Sequence, residues 1–245
     1  MKGRTISFDL FGTLLLYGDM AAEMAEWTAS LYDRLARHGL SCDRETFDGR
    51  CDRHFRSTAA PAPHPGLTLF ERRLRDLGAG FGLALAPGDL HAMADGLLEI
   101  WDRAFTLDAD APAVLDALSR RAALHVVSNF DHPPYVYRVL RQRGLARYFA
   151  TVTVSGEVGV QKPDPRIFCP VIAGAGTDPG GIVHVGDSDD DVEGARAAGL
   201  FPVLLQRPAV RPQDTDVLTL PRVSAGRDVT VIAGLAELPP LLEER

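Results

Sequence analysis

Three short apolar runs of the chain each end in a polar side chain that could do chemistry. Asp9 follows a run near the start of the sequence, and Ser128 and Asp187 follow runs in its second half. Because the carboxyl ends of parallel strands lie at one edge of a sheet, we expect the three groups to meet there if their strands are neighbours. A strand-end acid on its own is more typical of a turn, so the prediction depends on the three segments together.

Two carboxylates at that edge would repel each other unless a cation lay between them. Mg²⁺ fits such a place because it prefers oxygen ligands and needs only one or two protein carboxylates. The segment Asp187–Asp191 holds four acids in five residues. Acids at the start of a helix satisfy free N–H groups and the helix dipole, by about 0.3–1 kcal/mol each, which accounts for Asp190 or Asp191 but not for Asp187. The sequence therefore predicts a magnesium site at Asp9 and Asp187.

Lys162 is one of only two lysines in the chain, and it lies in the segment Gln161–Pro165, where two prolines favour an extended loop. A lone lysine is usually solvated, but this one is scarce and follows a predicted strand at the same edge. We therefore expect its ammonium group beside Asp9. Ser128 and Asn129, at a transition from strand to loop, offer a hydroxyl and backbone N–H groups to an oxyanion.

The apolar periodicity predicts an α/β fold interrupted by a helical insertion. The insertion should contain four helices, at Ala21–His38, Arg44–Arg56, Leu67–Leu77 and Pro87–Arg103. Further strands are expected at Ala123–Val127, Ala150–Val154, Gly181–Val185, Phe201–Leu205 and Asp228–Ile232. Helices are expected between and after them, at Pro112–Arg121, Tyr135–Arg143, Ile167–Ala175, Val192–Ala198 and Leu235–Glu243, the last broken by Pro239 and Pro240. This alternation predicts a doubly wound parallel sheet in residues 1–17 and 109–245, with a small helical domain in residues 18–108.

Composition limits the partners and the compartment. The net charge is −7 and no Lys/Arg block offsets it, so we expect no nucleic-acid partner, although a small anionic substrate could still bind a few local groups. No apolar run approaches the roughly 18 residues that span a bilayer, and the first strand begins almost at the N-terminus. An odd number of cysteines without C-x-x-C spacing suits a reducing compartment and offers no metal site. We expect a cytoplasmic protein with no membrane anchor.

Four segments together resemble the motifs of the haloacid dehalogenase superfamily, in the subfamily with a helical cap inserted straight after the first motif. They occur in that family's order and spacing, and the similarity covers essentially the whole chain. The segments are Asp9–Thr13, Ser128-Asn129, Lys162–Pro165 and Gly186–Asp191. The resemblance implies a Rossmann-like core, with residues 18–108 as the cap.

The resemblance also implies roles for single residues. Asp9 would be a nucleophile that attacks phosphorus or carbon and forms a covalent ester, which water later splits. Thr13, Ser128 and Asn129 would bind the transferring group. Lys162 would neutralise charge on both Asp9 and the substrate.

For the metal, the resemblance implies Mg²⁺ held by Asp9, Asp187 and the backbone carbonyl of Phe11. Asp191 would be a second acidic anchor, either for Lys162 or for the waters of the metal. Such a site lowers the barrier to phosphoryl transfer mainly through positioning and charge stabilisation.

Phe11 departs from the pattern of the family's phosphatases, which usually have a second Asp at this position. That Asp protonates the leaving group and activates water, a contribution of roughly 10²–10⁴ in rate. Haloacid dehalogenases have an aromatic residue here and need no such acid, because halide leaves unprotonated. They are metal-free, however, and use a cap arginine in a Trp-Arg-x-x-Gln setting, whereas Trp27 is followed by Thr28; their fourth motif also differs from Gly186–Ser188. The phosphonate-cleaving branch uses a cap lysine, and residues 18–108 contain none.

Three hypotheses follow from the sequence. The leading one is a Mg²⁺-dependent hydrolase of a small phosphorylated metabolite, based on Asp9, Lys162 and the acidic fourth motif. The second is hydrolysis of a C–halogen bond in a small 2-halo acid, favoured by Phe11 and opposed by Asp187. The third is a non-catalytic, regulatory binding protein that has kept the fold and the metal site.

Overall fold

The computed structural model describes residues 4–57, 59–207 and 229–243, which separate into two compact units. A sheet unit contains residues 4–17 and the described residues from 106 onward, and a helical unit contains residues 18–57 and 59–105. The helical unit ends three residues before the predicted boundary at 108, within the short strand Phe105–Leu107. No helix in the described ranges is both long and apolar enough to cross a bilayer.

The helical unit is built from four helices, α1 (Met20–Arg37), α2 (Arg44–Arg56), α3 (Leu69–Gly80) and α4 (Pro87–Arg103). The side chains of Asp19, Asp43 and Thr68 each accept a hydrogen bond from a backbone N–H group in the first turn of the helix that follows. These caps fix where α1, α2 and α3 begin. Buried residues such as Leu31 and Phe47 form a separate apolar core. The predicted bounds of α2 and α4 are confirmed. The role of this unit as a cap stays a prediction.

The sheet unit contains one six-stranded parallel sheet, which confirms the predicted doubly wound α/β core. Its strands, in spatial order, are β5 (Phe149–Val154), β4 (Ala122–Ser128), β1 (Arg4–Phe8), β6 (Ile182–Gly186), β7 (Phe201–Leu205) and β8 (Thr230–Ile232). Two short strands that the sequence did not reveal, β2 (Leu15–Tyr17) and β3 (Phe105–Leu107), form a second sheet. Asp228, the predicted first residue of the last strand, lies outside the described residues.

The remaining helices connect the strands of the large sheet, except for the last, which follows β8. They are α5 (Ala111–Ser119), α6 (Pro133–Gln142), α7 (Ser155–Val158), α8 (Cys169–Ala175), α9 (Asp189–Ala197) and α10 (Leu238–Glu243). Helix α9 begins three residues before the predicted Val192, because Ser188 caps it. Pro239 and Pro240 were expected to break the terminal helix, but they lie in the first turn of α10. Backbone N–H groups in the first turn have no acceptor within the helix, so proline, which lacks this group, loses no hydrogen bond there.

The central strands are apolar because helices cover both faces of the sheet. Ile6 is paired in register with Leu124 of β4 and with Val183 of β6, and all three side chains are buried. One face of the sheet packs on a cluster that includes Phe168 and Ala195. The polar residues at the strand ends are therefore held by a rigid scaffold.

Candidate active site

The three predicted strand-end groups lie at one edge of the sheet. Strands β4, β1 and β6 are neighbours; Ser128 ends β4, Asp9 follows β1 and Asp187 follows β6. The backbone N–H of Asp9 donates to the carbonyl of Val185 at 2.8 Å. From β1 the order of strands runs to β4 and β5 on one side and to β6, β7 and β8 on the other. This edge of β1 is therefore the topological switch point, where open α/β sheets bind ligands.

Lys162 lies beside Asp9, as the sequence predicted, and all three of its ammonium protons have acceptors. Its Nζ is 2.5 Å from Oδ1 of Asp9, 2.6 Å from Oδ1 of Asp191 and 3.1 Å from the carbonyl oxygen of Val127. The side chain is only 3% exposed. Three donors matched by three acceptors fix the direction of the ammonium group.

Asn129 holds the lysine loop with its side chain. Its Nδ2 donates to the carbonyl of Lys162 at 3.0 Å, and its Oδ1 accepts from the N–H of Lys162 at 2.8 Å. These two bonds tie the side chain to the backbone of Lys162 and use one of the two N–H donors of the amide group. Asn129 is thus a positioning residue for Lys162. The contact of Asn129 with an oxyanion stays a prediction.

Asp191 anchors Lys162, which is one of the two roles that the resemblance implied for it, and it also caps helix α9. Its Oδ1 accepts from Lys162 and, at 3.1 Å, from Nε2 of His184. Its Oδ2 accepts from the backbone N–H and the hydroxyl of Ser188, which completes a capping box at the start of α9. A carboxylate has about four lone-pair positions, and these four contacts occupy them.

Asp9 and Asp187 are the residues that fit a divalent cation. Carboxylate oxygens of Asp9, Asp187 and Asp191 lie within 4.8 Å of one another, and all three residues are buried. Lys162 brings one positive charge to these three carboxylates, so a cation would balance the remainder. Because the lone pairs of Asp191 are already engaged, Asp9 and Asp187 are left as ligands. Their hard oxygen atoms match Mg²⁺.

Two glycines allow the acids to approach the backbone. A Cβ atom on Gly12 would lie 2.2 Å from Oδ2 of Asp187, and the φ angle of Gly12 is +93°. A Cβ atom on Gly186 would lie 2.2 Å from Cγ of Asp191. Thr13 adds a weak contact, with its hydroxyl 3.4 Å from Oδ1 of Asp187. The absence of a side chain at Gly12 and at Gly186 is therefore a steric requirement of the site.

A comparison of the sequence with known families agrees with this arrangement. The sequence model of the haloacid dehalogenase-like hydrolases matches residues 4–199, which include every residue of the site described above. The chain belongs to the haloacid dehalogenase-like hydrolase family.

Several proteins are similar to this member of the family. Over 135 residues it is 37% identical to a phosphoserine phosphatase of Thermus thermophilus, covering 54% of this chain and 53% of the relative. Over 131 residues it is 34% identical to a phosphoglycolate phosphatase of Agrobacterium fabrum, covering 54% and 52%. The chain thus spans about half the length of the curated relatives that it matches.

Solved structures show the same fold over nearly the whole chain. A HAD phosphatase from Thermococcus onnurineus gives a TM-score of 0.66 at 24% identity, covering 98% of this chain and 97% of that chain. A 2-haloacid dehalogenase from Pseudomonas syringae pv. Tomato gives 0.63 at 23% identity, covering 98% of each.

Phe11 presents an aromatic side chain where the family's phosphatases usually have an acid. Its ring stacks on Phe130 at 5.0 Å and lies 6.1 Å from the parallel ring of Tyr135. Its backbone carbonyl, the implied third metal ligand, accepts a hydrogen bond from the hydroxyl of Tyr17 at 3.1 Å. A carbonyl oxygen has two lone pairs, so this contact is compatible with metal binding. The ring belongs to an aromatic cluster and cannot transfer a proton.

Ser128 has a buried hydroxyl that makes no hydrogen bond to the residues described in the structure. A buried polar atom without a partner costs about 1–3 kcal/mol. A bound oxyanion at the strand end would satisfy it, which fits the predicted role of Ser128 in binding the transferring group.

The buried charges shift one another's pKa values. Burial raises the pKa of Asp9 to about 6, against the opposing effect of Lys162. Burial alone would raise the pKa of Asp191, but Lys162 and His184 hold it well below its usual range. Burial alone would lower the pKa of Lys162, but Asp191 and Asp9 raise it above its usual value. Asp9 is therefore largely ionised at neutral pH, and Lys162 stays an ammonium ion.

Arg207 is a part of the site that the sequence analysis missed. Its guanidinium group donates to the carbonyls of Gly12 and Thr13 at 2.6 and 2.8 Å, and to Oδ2 of Asp108 at 2.6 Å. Asp108 in turn accepts backbone N–H groups at the start of α5. Arg207 lies two residues beyond β7, so the strand-end rule that indicated Asp9 could also have indicated this arginine.

Proposed function

We propose that the protein is a Mg²⁺-dependent phosphatase that acts on a small phosphorylated metabolite through an aspartyl-phosphate on Asp9. The observation that carries the proposal is the buried contact of Asp9 with Lys162, together with Asp187 at the neighbouring strand end. The names of the similar proteins support the class of substrate, since phosphoserine, phosphoglycolate and glyceraldehyde 3-phosphate are all small phosphorylated metabolites.

The proposed reaction has two steps. A carboxylate oxygen of Asp9 attacks phosphorus, the bond from phosphorus to the leaving oxygen breaks, and the leaving group departs with its electron pair. Water then attacks phosphorus in the aspartyl-phosphate and the bond from phosphorus to the Asp9 oxygen breaks. This restores the Asp9 carboxylate and releases phosphate with the two protons of the water, one of which can pass to the departed leaving group. Lys162 neutralises charge on Asp9 and on the phosphoryl oxygens. The hydroxyl groups of Thr13 and Ser128 donate hydrogen bonds to the phosphoryl oxygens. Bound at Asp9, Asp187 and the carbonyl of Phe11, Mg²⁺ would supply Lewis-acid stabilisation of the phosphoryl charge.

The first test is phosphate release from an activated aryl phosphate such as p-nitrophenyl phosphate. We expect release with Mg²⁺, none with EDTA, and none from Asp9→Asn. Asp116→Asn is the matched control, because Asp116 lies on the exposed face of α5 in a pair with Arg120. Activity that survives Asp9→Asn would contradict the mechanism. Failure to turn over any substrate, with Mg²⁺ still bound, would favour a non-catalytic, regulatory protein.

Phe11 favours substrates whose leaving group departs without a proton. We expect Phe11→Asp to raise the turnover of alkyl phosphates, by up to roughly 10²–10⁴, and to change that of activated aryl phosphates much less. Phe11→Asn is the control, because it is polar but cannot act as a carboxylic acid. Equal effects of the two variants would point to another proton donor or to another reaction.

Hydrolysis of a C–halogen bond is the second candidate, and the aromatic cluster of Phe11, Phe130 and Tyr135 favours it. Halide needs no proton, so the lack of an acid at Phe11 is no obstacle. The Asp187 carboxylate opposes it, because it would repel a departing anion unless a metal were bound. Halide release from 2-chloropropionate that is indifferent to EDTA would promote this candidate over the phosphatase.

A further inference from the structure

Four polar residues, of which three are buried and Thr151 is half-buried, form a row across the middle of the sheet, where apolar side chains are the rule. Thr151 of β5, His125 of β4, Ser7 of β1 and His184 of β6 occupy paired positions on successive strands. Paired residues of parallel strands project to the same face. Buried parallel strands normally read as continuous apolar runs, so this row needs an explanation, and neither the proposed mechanism nor the core packing provides one.

The part of the row at β1 and β6 is hydrogen-bonded to the site. The hydroxyl of Ser7 is 2.9 Å from Nδ1 of His184, and Nε2 of His184 is 3.1 Å from Oδ1 of Asp191. An ionised carboxylate can only accept, so the proton between His184 and Asp191 is on Nε2. Nδ1 of the neutral ring then accepts the hydroxyl proton of Ser7. Both side chains are fully buried, and the carbonyl oxygen of Val183 is a second, more distant acceptor for the Ser7 hydroxyl, at 3.4 Å.

This pair acts on the same oxygen that holds Lys162. Oδ1 of Asp191 accepts from both Lys162 and His184, and the ammonium of Lys162 also donates to Asp9. We propose that Ser7 and His184 are positioning residues that fix the Asp191 carboxylate and, through it, direct the Lys162 ammonium at Asp9. The proposal rests on the proposed roles of Asp9 and Lys162. It adds a layer of residues beneath the site, none of which touches the substrate.

The hydrogen bond of His184 can be separated from its packing. The ring packs edge-on against Phe168, with centroids 4.8 Å apart. His184→Gln keeps an N–H donor near the position of Nε2, and His184→Met has nearly the same length without a donor. His125→Met is a matched control, because His125 is an equally buried strand histidine whose Nδ1 contacts Thr151 instead of the site.

The lysine content of the chain gives a readout that is independent of activity. Lys2 and Lys162 are its only lysines, so protein labelled with ¹⁵N at the lysine side chains gives two Nζ signals, and Lys2→Arg assigns them. We expect a slowly exchanging ammonium signal for Lys162 in the native chain, in His184→Gln and in His125→Met. We expect that signal to shift and to exchange faster in His184→Met, with a smaller change in the same direction in Ser7→Ala.

Kinetics with an activated aryl phosphate provide the second readout. Loss of an outer hydrogen-bond partner typically costs 10–100-fold in activity, so we expect kcat of His184→Met to fall by about that factor with KM nearly unchanged. His184→Gln should recover most of the loss.

A native Lys162 signal and native kcat in His184→Met would overturn the proposal, as would a fall in kcat without any change in the signal. If the native chain has no phosphatase activity but the Lys162 signal responds as expected, the proposed function fails and the positioning role stands.

Discussion

All three N–H donors of the Lys162 ammonium group have acceptors, and an arginine at this position could not match the same acceptors. Its three donors meet Asp9, Asp191 and the carbonyl of Val127 within 3.1 Å. A planar guanidinium group is larger and presents its donors as a fork, so it could not make the same three contacts in a place that is 3% exposed. The chain uses arginine for nearly all its cations, and this is a position where only lysine fits.

Removal of this buried charge should cost far more stability than removal of an exposed one. In Lys162→Met the carboxylates of Asp9 and Asp191 stay buried without their partner, and we expect a loss of about 3–5 kcal/mol in the free energy of unfolding. Arg166→Met is the control, because it breaks an exposed pair with Asp164 and should change little. Urea denaturation of the two variants measures the difference, and equal losses would contradict the interpretation of Lys162 as a buried structural charge.

The raised pKa of Asp9 should make metal binding depend on pH. A ligand carboxylate must be ionised to bind Mg²⁺, and the pKa of Asp9 is raised to about 6, chiefly by burial. As pH falls through that value the protonated fraction grows, so we expect Mg²⁺ affinity to be about tenfold weaker at pH 5 than at pH 7. Titration calorimetry at the two pH values tests this. Asp9→Asn should bind weakly at both pH values. A native affinity that is flat with pH would contradict the raised pKa, and native affinity in Asp9→Asn would exclude Asp9 as a ligand.

At the scale of elements, the loop after β1 works because Gly12 lacks a side chain. Its positive φ angle alone would make Gly12→Ala cost roughly 1–2 kcal/mol, but its Cβ atom would also strike Asp187. Gly144, after α6, has a φ of +70° and no neighbour within 4 Å of such an atom. We expect Gly12→Ala and Gly144→Ala to lose similar backbone stability, and only Gly12→Ala to lose Mg²⁺ binding as well, by about 10–100-fold.

Calorimetry and urea denaturation of the two glycine variants separate the effects. Intact Mg²⁺ affinity in Gly12→Ala would mean that Asp187 can move aside, and the close contact would then not be a requirement of the site. A loss of affinity in Gly144→Ala would show that backbone strain alone is enough.

At the scale of the whole molecule, rules about strand ends and periodicity predicted the parallel sheet and the meeting of Asp9, Ser128 and Asp187. Both depend on local sequence patterns and on the common direction of parallel strands. The bounds of α2 and α4 follow from local signals as well, since Asp43 and Pro87 start them.

What the sequence did not reveal depends on partners far away in the chain. Asn129 was expected to bind the transferring group, and the sequence did not reveal that its amide group also pairs with a backbone 33 residues further on. Arg207 contacts carbonyl groups almost 200 residues before it. His184 could have been noticed as a polar residue within an apolar strand, but its partner Ser7 is 177 residues away. No periodicity encodes such pairs, because they exist only once the strands are ordered in the sheet.

A metal held at one edge of the sheet should stabilise the unit that binds it. A ligand that binds only the native state, at 100 times its Kd, adds about 2.7 kcal/mol, so Mg²⁺ should raise the thermal unfolding midpoint of the native chain but not that of Asp187→Asn. Both tryptophans, Trp27 and Trp101, lie in the helical unit, whereas circular dichroism reports on both units. If the units unfold together, Mg²⁺ shifts the fluorescence transition as far as the dichroism transition. If they unfold separately, the midpoint seen by tryptophan fluorescence stays fixed, while the part of the dichroism transition that comes from the sheet unit moves to higher temperature. A full Mg²⁺-induced shift of the midpoint in Asp187→Asn would place the metal elsewhere.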